Sequence, residues 1–314
     1  MGHIPVLADD VIELLAPVAD DGWIVDATLG RGGHARRLLD AAPAARLLGI
    51  DHDPDALEKS RTDLGTYGER VRFARGDFKE LAALLERLGI EEVRGVLLDL
   101  GVSSPQLDEA HRGFSYRVEG PLDMRMDPGQ RVSAADVVNG YAMPDLERTI
   151  RSYGEERFAR RVARAIVAHR PIETTTELAE IVKEAVPAAT RRTGPHPARR
   201  TFQALRMEVN GELDALRSVL PDAIDVLQPG GRCAVISYHS LEDRIVKRHF
   251  RDEADGCTCP PDFPVCRCEA QIRVRVLTRR PIRPGESELQ ANPRARAAKL
   301  RAVERLATPV EGPA

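Results

Sequence analysis

The sequence predicts an α/β fold built on a parallel sheet and interrupted by an inserted helical domain. Three observations predict it. Short apolar runs alternate with helical patterns over the first hundred residues. The alternation then stops for more than a hundred residues. It resumes at the strong strand Cys233-Ala234-Val235-Ile236-Ser237-Tyr238. Strand–helix alternation is the pattern of right-handed crossovers between parallel strands.

The strands come in order as Trp23-Ile24-Val25-Asp26, Leu47-Leu48-Gly49-Ile50-Asp51, Val71-Arg72-Phe73-Ala74 and Val96-Leu97-Leu98-Asp99. Pro54, with Ala56, Leu57 and Glu58 behind it, predicts a helix that starts with proline in its first turn. Leu81, Leu84, Leu85 and Leu88 recur at helical spacing. In the middle of the chain Phe158, Val162 and Ile166 mark a helix that also carries Arg157, Arg160, Arg161 and Arg164. Thr174 with Glu177 resembles a capping box ahead of Leu178, Ile181, Val182 and Ala185, and Pro187 ends that helix. Arg191 to Arg200 reads as a basic loop with two prolines. A helix around Glu212 to Leu227 leads through the turn Gln228-Pro229-Gly230-Gly231 into the fifth strand. Leu241 to Phe250 reads as helix and Ile272 to Leu277 as a late strand. Residues 291–306 are expected to form a basic terminal helix, with the last eight residues frayed. The expected division is a discontinuous domain over 1–108 and 208–314 and an inserted helical, substrate-recognising domain over 109–207.

The 314 residues carry 46 Lys+Arg against 49 Asp+Glu, a net charge of −3. Near-neutrality excludes a general nucleic-acid coating protein but not a local site. The charge is uneven: residues 1–130 hold 24 acids and 15 bases, 151–206 hold 6 and 12, and 267–306 hold 4 and 11. Two basic segments beside an acidic one suggest a polyanion partner for part of the surface, against the plainer reading of solvated helix faces. Aromatics at 4% argue against a broad base-stacking platform. No apolar run approaches the roughly 18 residues of a membrane helix, and Met1 to Asp10 lacks a basic leader region, so a cytoplasmic protein without a membrane partner is expected.

Val25-Asp26-Ala27-Thr28-Leu29-Gly30-Arg31-Gly32-Gly33-His34 ends a strand and opens a helix. Glycines admit close approach of a ligand, and the helix start offers free N–H donors. Asp51 ends the next strand, where a carboxylate accepts both ribose hydroxyls. That pairing points to a nucleoside cofactor, either NAD(P) or S-adenosylmethionine. Two features favour the methyl donor. The run Gly30-x-Gly32-Gly33-x-Ala35 lacks the last glycine of G-x-G-x-x-G, although the G-x-G-x-x-A variant exists. Arg75-Gly76-Asp77-Phe78 follows the third strand, at the place where methyltransferases hold adenine with an acid and an apolar residue. The fourth strand runs into Leu100-Gly101-Val102-Ser103-Ser104-Pro105-Gln106 at its carboxyl end, where open α/β sheets bind ligands and where amine-methylating enzymes position the acceptor nitrogen.

These residues resemble the bacterial 16S rRNA (cytosine-N(4))-methyltransferase H family, over a span from His3-Ile4-Pro5 to Arg296. Its most specific blocks are Gly30 to His34, Asp99 to Gln106, Arg112 to Tyr116, Gly120 to Asp127, Arg200 to Ala204 and Ser237 to Arg244. The resemblance implies a Rossmann-like class I S-adenosylmethionine-dependent methyltransferase with an inserted all-helical domain. It implies methylation of one cytosine N(4) in the decoding region, near the P-site, of 16S rRNA within the small ribosomal subunit. The implied cofactor contacts are Gly32, Gly33, His34, Asp51, Phe78, Asp99 and Gln106. Asp99, Ser103, Ser104, Tyr238 and His239 are the candidates for gripping the cytosine, with His239 equally readable as structural. Arg191, Arg192, Arg199 and Arg200 are the expected RNA contacts. A homodimer fits the sequence. An NAD(P)-linked oxidoreductase and a non-catalytic RNA-binding factor are the competing readings, the second disfavoured because an intact cofactor site would serve it little.

Cys257-x-Cys259 and Cys266-x-Cys268 place four cysteines within twelve residues. A structural zinc, reduced thiols and a redox pair all remain open for them. Cys233, inside a strand, reads as a small core residue.

Overall fold

The computed structural model describes residues 5–102, 107–188, 196–256 and 271–311. The chain divides into two compact units, one of Met1–Gly101 with Asp214–Ala314, the other of Val102–Leu213.

The first unit begins with α1 (Ala8–Ala19), whose Val11, Leu15 and Ala19 are buried one turn apart. Pro17 sits inside this helix and hides it from the sequence pattern. Then come β1 (Trp23–Asp26), α2 (Gly33–Ala41), β2 (Arg46–Asp51), α3 (Pro54–Leu64), β3 (Val71–Arg75), α4 (Leu81–Leu88) and β4 (Val93–Asp99). Asp53 caps α3 by accepting from Asp55 N–H, with proline in the first turn as predicted. The α4 leucines bury one face, and Gly89 closes the helix in the left-handed region.

The second unit is helical: α5 (Ala134–Gly140), α6 (Met143–Gly154), α7 (Ala159–Ala168), α8 (Thr175–Ala185) and α9 (Ala198–Asn210). Ser133 and Asp136 form a reciprocal capping box on α5. Thr174 caps α8 by accepting from Glu177 N–H, while the Glu177 carboxylate reaches Glu173 N–H instead of closing the predicted box. The predicted basic loop over 191–200 ends earlier than expected. Arg199 and Arg200 lie in the first turn of α9, whereas Arg191 and Arg192 lie outside the described residues. This unit has its own core, including Leu146, Ile150, Val162, Ile166, Leu178 and Phe202.

The chain returns through α10 (Glu212–Asp225), β5 (Leu227–Ser237), α11 (Ser240–Asp255), β6 (Gln271–Val276), α12 (Glu286–Ala291) and β7 (Lys299–Glu311). The predicted turn at Gln228–Gly231 is a bulge: pairing jumps from Val93↔Leu227 to Gly95↔Arg232, and Gly230 takes a φ of 79°. The predicted terminal helix over 291–306 is overturned. Those residues are a 3-10 turn, Pro293–Ala297, and a strand inserted between β5 and β6. Its helix-favouring composition yields to two ladders and to distant acids. Arg301 and Lys299 bond Asp243 at 2.7 and 2.9 Å, and Arg305 donates to the carbonyls of Asp225 and Leu227. Of the last eight residues, expected to fray, 307–311 belong to β7 and 312–314 lie outside the described residues.

The sheet order is β3-β2-β1-β4-β5-β7-β6, parallel except for β7. Strand side chains alternate between two cores: Val25, Leu48, Val96 and Val235 face one, Ile24, Leu47, Leu97 and Ile236 the other. The order reverses between β1 and β4, so the carboxyl ends of the parallel strands open a crevice at that point.

Candidate functional site

Three strand ends deliver carboxylates to this edge: Asp26 from β1, Asp51 from β2 and Asp99 from β4. The turn after β1 ties them together. Gly30 and Gly32 have φ of +53° and +70°, a region costly for other residues, and a Cβ on Gly32 would stand 2.8 Å from Leu64. In that conformation Gly30 N–H donates to Asp51 Oδ2 at 2.8 Å, and Thr28 Oγ1 accepts from Asp99 N–H at 2.6 Å. Ser60 Oγ holds Gly30 from behind by donating to its carbonyl. Asp51 Oδ1 also accepts from Asp53 N–H at 2.9 Å, yet burial pushes this carboxyl above its usual range. Gly76 N–H donates to the Asp51 carbonyl, which joins the ends of β2 and β3. There Phe78 opens a short 3-10 turn capped by Asp77 and packs, half-buried, on the core.

Asp26 is a site member that the sequence pattern alone does not mark. Its side chain is 1% exposed, and burial raises its pKa to about 7, opposed by His34 and reinforced by Asp99 and Asp51. The available signal was an acid ending a fully buried strand just ahead of a glycine turn. His34, in the first turn of α2, is buried. Its Nε2 lies 3.4 Å from Asp99 Oδ2 but is not aligned for a hydrogen bond, and it has no hydrogen-bond partner among the described residues.

At the end of β5, Tyr238 O–H donates to Asp99 Oδ1 at 2.9 Å. Burial and the Asp99 charge hold the phenol well above its usual pKa, so it remains a neutral donor. Gly101, at a φ of +102°, lets the chain pass the Tyr238 ring, which would sit 3.5 Å from a Cβ there. His239 is the N-cap of α11: its Nδ1 accepts from Glu242 N–H at 3.3 Å. Glu242, 2% exposed, accepts in return from the N–H groups of Tyr238 and His239 at 2.8 and 3.2 Å. His239 is thereby engaged in holding the Tyr238 corner.

The structure thus brings Gly32, Gly33, His34, Asp51, Phe78, Asp99, Tyr238 and His239 to one unit's strand ends and adds Asp26. Ser103, Ser104, Gln106 and the four cysteines Cys257, Cys259, Cys266 and Cys268 lie outside the described residues. Cys233 is fully buried in β5, and burial pushes its thiol up to about 12, as suits an inert core residue.

A nucleoside cofactor fits what is present. Each Asp51 oxygen spends one lone pair on a backbone N–H and keeps another for a ribose hydroxyl. Among the described residues a Cβ on Gly30 would meet only the Thr28 carbonyl, at 4.0 Å, so they leave the backbone of the turn open to a ligand. This sheet order, with an acid closing β1, β2 and β4 around a glycine turn, makes a Rossmann-like fold whose strand-end site suits the nucleoside of S-adenosylmethionine.

The chain belongs to the MraW methylase family, whose model matches residues 1–306. It is 50% identical to ribosomal RNA small subunit methyltransferase H of Heliobacterium mobile, over 97% of this chain and 99% of that one. The protein of the same name from Brevibacillus brevis is 50% identical over 97% and 98% of the two chains. That from Thermobifida fusca is 51% identical over 98% and 94%. Among the described residues no helix is long and apolar enough to cross a membrane.

Proposed function

We propose that this protein transfers a methyl group to the exocyclic N(4) amine of a cytosine in the decoding region, near the P-site, of 16S rRNA. The substrate is the small ribosomal subunit in the cytoplasm. The observation that carries the reading is identity of about half, over nearly the whole chain, with small-subunit rRNA methyltransferases, in a chain whose strand-end acids and glycine turn suit the methyl donor.

Bound S-adenosylmethionine supplies an electrophilic methyl group on a sulfonium. Asp51 and the turn at Gly30–Gly33 bind the nucleoside; Phe78 supplies an apolar contact beside it. A cytosine amine is a poor nucleophile because its lone pair is delocalised into the ring. Rate therefore comes from holding that lone pair along the line of attack and excluding water, on the order of 7–11 kcal/mol for ideal placement. Asp99 is built for this. Tyr238 occupies and orients Oδ1, which leaves Oδ2 to accept an amine N–H. Methylation acidifies the nitrogen, so a strand-end carboxylate suffices to receive its proton. Ser103 and Ser104 follow Asp99 in sequence and complete the proposed grip on the base. Gln106 completes the cofactor set, and Arg191, Arg192, Arg199 and Arg200 the contacts to rRNA. Arg199 and Arg200 are both exposed, Arg200 donating one N–H to the Glu155 carbonyl.

Mass spectrometry of 16S rRNA from cells with and without this protein tests the reading, together with labelled-methyl transfer to small subunits lacking the modification. One cytosine should lose a methyl group in the deletion strain and regain it in vitro. Intact donor binding with no incorporation into those subunits would overturn it.

A further inference from the structure

Helix α7 carries a row of cations that no acid among the described residues answers. Arg160, Arg161 and Arg164 lie within an arc of about 100° on it, and Arg157 stands in the turn just ahead. All four are exposed, and the opposite face buries Ala159, Val162, Ala163 and Ile166. Among the described residues none of the four has a carboxylate within ion-pairing distance, and Arg157 lies over the Phe158 ring at 5.5 Å. The neighbouring helices are built differently. On α6, Arg148 pairs with Asp145 at 2.9 Å and Arg151 with Glu147 at 2.6 Å; on α8, Lys183 pairs with Glu180 at 2.7 Å.

The arrangement works against the helix. Arg160 with Arg164, and Arg161 with Arg164, are like-charge pairs at helical contact spacings, which destabilise. The first turn of α7 holds two cations and no acid, the reverse of what its dipole favours. Ahead of it, Glu156 is turned inward and accepts from Phe158 N–H at 2.8 Å, so it gives no relief.

We infer that the Arg157–Arg160–Arg161–Arg164 row is a docking surface for the phosphate backbone of the substrate rRNA. Guanidinium forks match phosphate oxygens, and the row spans about 10 Å, two helical turns. The four exposed side chains follow one another along the helix axis, which suits a continuous polyanion. Such contacts fix register and affinity without reading bases. The inference rests on the proposed rRNA substrate and extends its footprint beyond residues 191–200.

The test compares the wild-type protein with R157Q/R160Q/R161Q/R164Q and with the all-lysine variant of the same positions. The probe is a 16S rRNA transcript, bound over a series of salt concentrations. The glutamine variant should lower the log–log salt slope by about 3, at roughly 0.7–0.9 for each phosphate that is no longer neutralised. Its KM for small subunits lacking the methyl group should rise about tenfold, most of the change falling in KM rather than kcat. Its melting temperature should hold or rise, because repulsion has been removed, and its affinity for S-adenosylmethionine should be unchanged. The lysine variant should retain most of the salt slope. If the quadruple variant fails to fold, R160Q/R164Q should show about half the change in slope.

An unchanged slope and KM would overturn the inference. So would loss of binding to polyglutamate alone with rRNA binding intact, which would assign the row to an acidic protein. Failure of the parent reading looks different: the wild-type protein would bind rRNA with a steep, row-dependent salt slope yet transfer no methyl group.

Discussion

The two units place their charge in opposite ways. The α/β unit withdraws carboxylates from water: Asp26 is 1% exposed, and Asp51 is held between two backbone N–H donors. The helical unit keeps the α7 arginines in solvent over an apolar core. A buried carboxylate is costly unless donors surround it, so the acids and the turn that supplies their donors form one cooperative structure. An exposed arginine, even beside a like charge, costs far less than a buried acid, so its position is freer to follow a partner. Precision belongs to the strand ends and tolerance to the helix surface.

Removing Asp51 breaks the first half of that comparison most severely. Asp51→Ala takes away the proposed ribose acceptor and the partner of Gly30 N–H together. Donor affinity measured by calorimetry should fall by about 2–3 kcal/mol. An unchanged affinity would show that Asp51 serves the turn alone.

Gly32→Ala attacks the same structure from the turn. The left-handed φ and the 2.8 Å approach to Leu64 should together cost about 2 kcal/mol of stability, read from urea unfolding. Leu64 lies behind the turn, so a Gly32→Ala, Leu64→Ala pair should relieve the clash but keep the backbone strain.

Asp26→Asn sharpens the role of burial through pH. The folded carboxyl has its pKa near 7, against 3.8 for the free group. Between those values the native state binds more protons than the unfolded chain. This acid therefore contributes stability at low pH that is lost as pH rises through about 7, with a slope of at most about 1.4 kcal/mol per pH unit. His34, Asp99 and Asp51 are the charged groups acting on it, and Asp51 shifts in the same direction. The difference between wild type and variant across pH 4–7 isolates Asp26, because the asparagine cannot titrate. A constant difference would remove Asp26 from the linkage.

The smallest effect belongs to the helical unit. Ser133→Ala removes the α5 cap and its reciprocal bond with Asp136, which should cost about 1 kcal/mol in thermal unfolding and leave donor affinity untouched. A change in donor affinity would show that the units share their energetics.

Much of the site was legible because it obeys local rules. Gly30 and Gly32 announce a backbone that other residues resist, and Asp51 and Asp99 end apolar runs whose strand character is plain. Other features were not legible for definite reasons. His239 looks the same in sequence whether it grips a base or caps a helix; its capping contact becomes visible only when Glu242 folds back onto it and Tyr238. The arginines of β7 and α7 are equally basic on paper, but among the described residues the β7 set has acids and carbonyls waiting and the α7 set has no acid in reach.

By itself the sequence determined the alternation of strands and helices, the break for the insertion, and the glycine-and-acid grammar of the strand ends. These depend on hydrophobic period and backbone sterics, which act over a few residues. Tertiary structure decided the rest. It made residues 299–311 a strand between β5 and β6, although their composition favours a helix. It gave Asp26 a neutral-range pKa by burying it beside two other acids. It also divided the arginines into those answered by distant acids, such as Arg232 with Glu304 at 3.1 Å, and those, such as Arg160 and Arg164, with no acid in reach among the described residues. The physical reason is the same in each case: desolvation and ion pairing depend on neighbours in space, which local sequence does not specify.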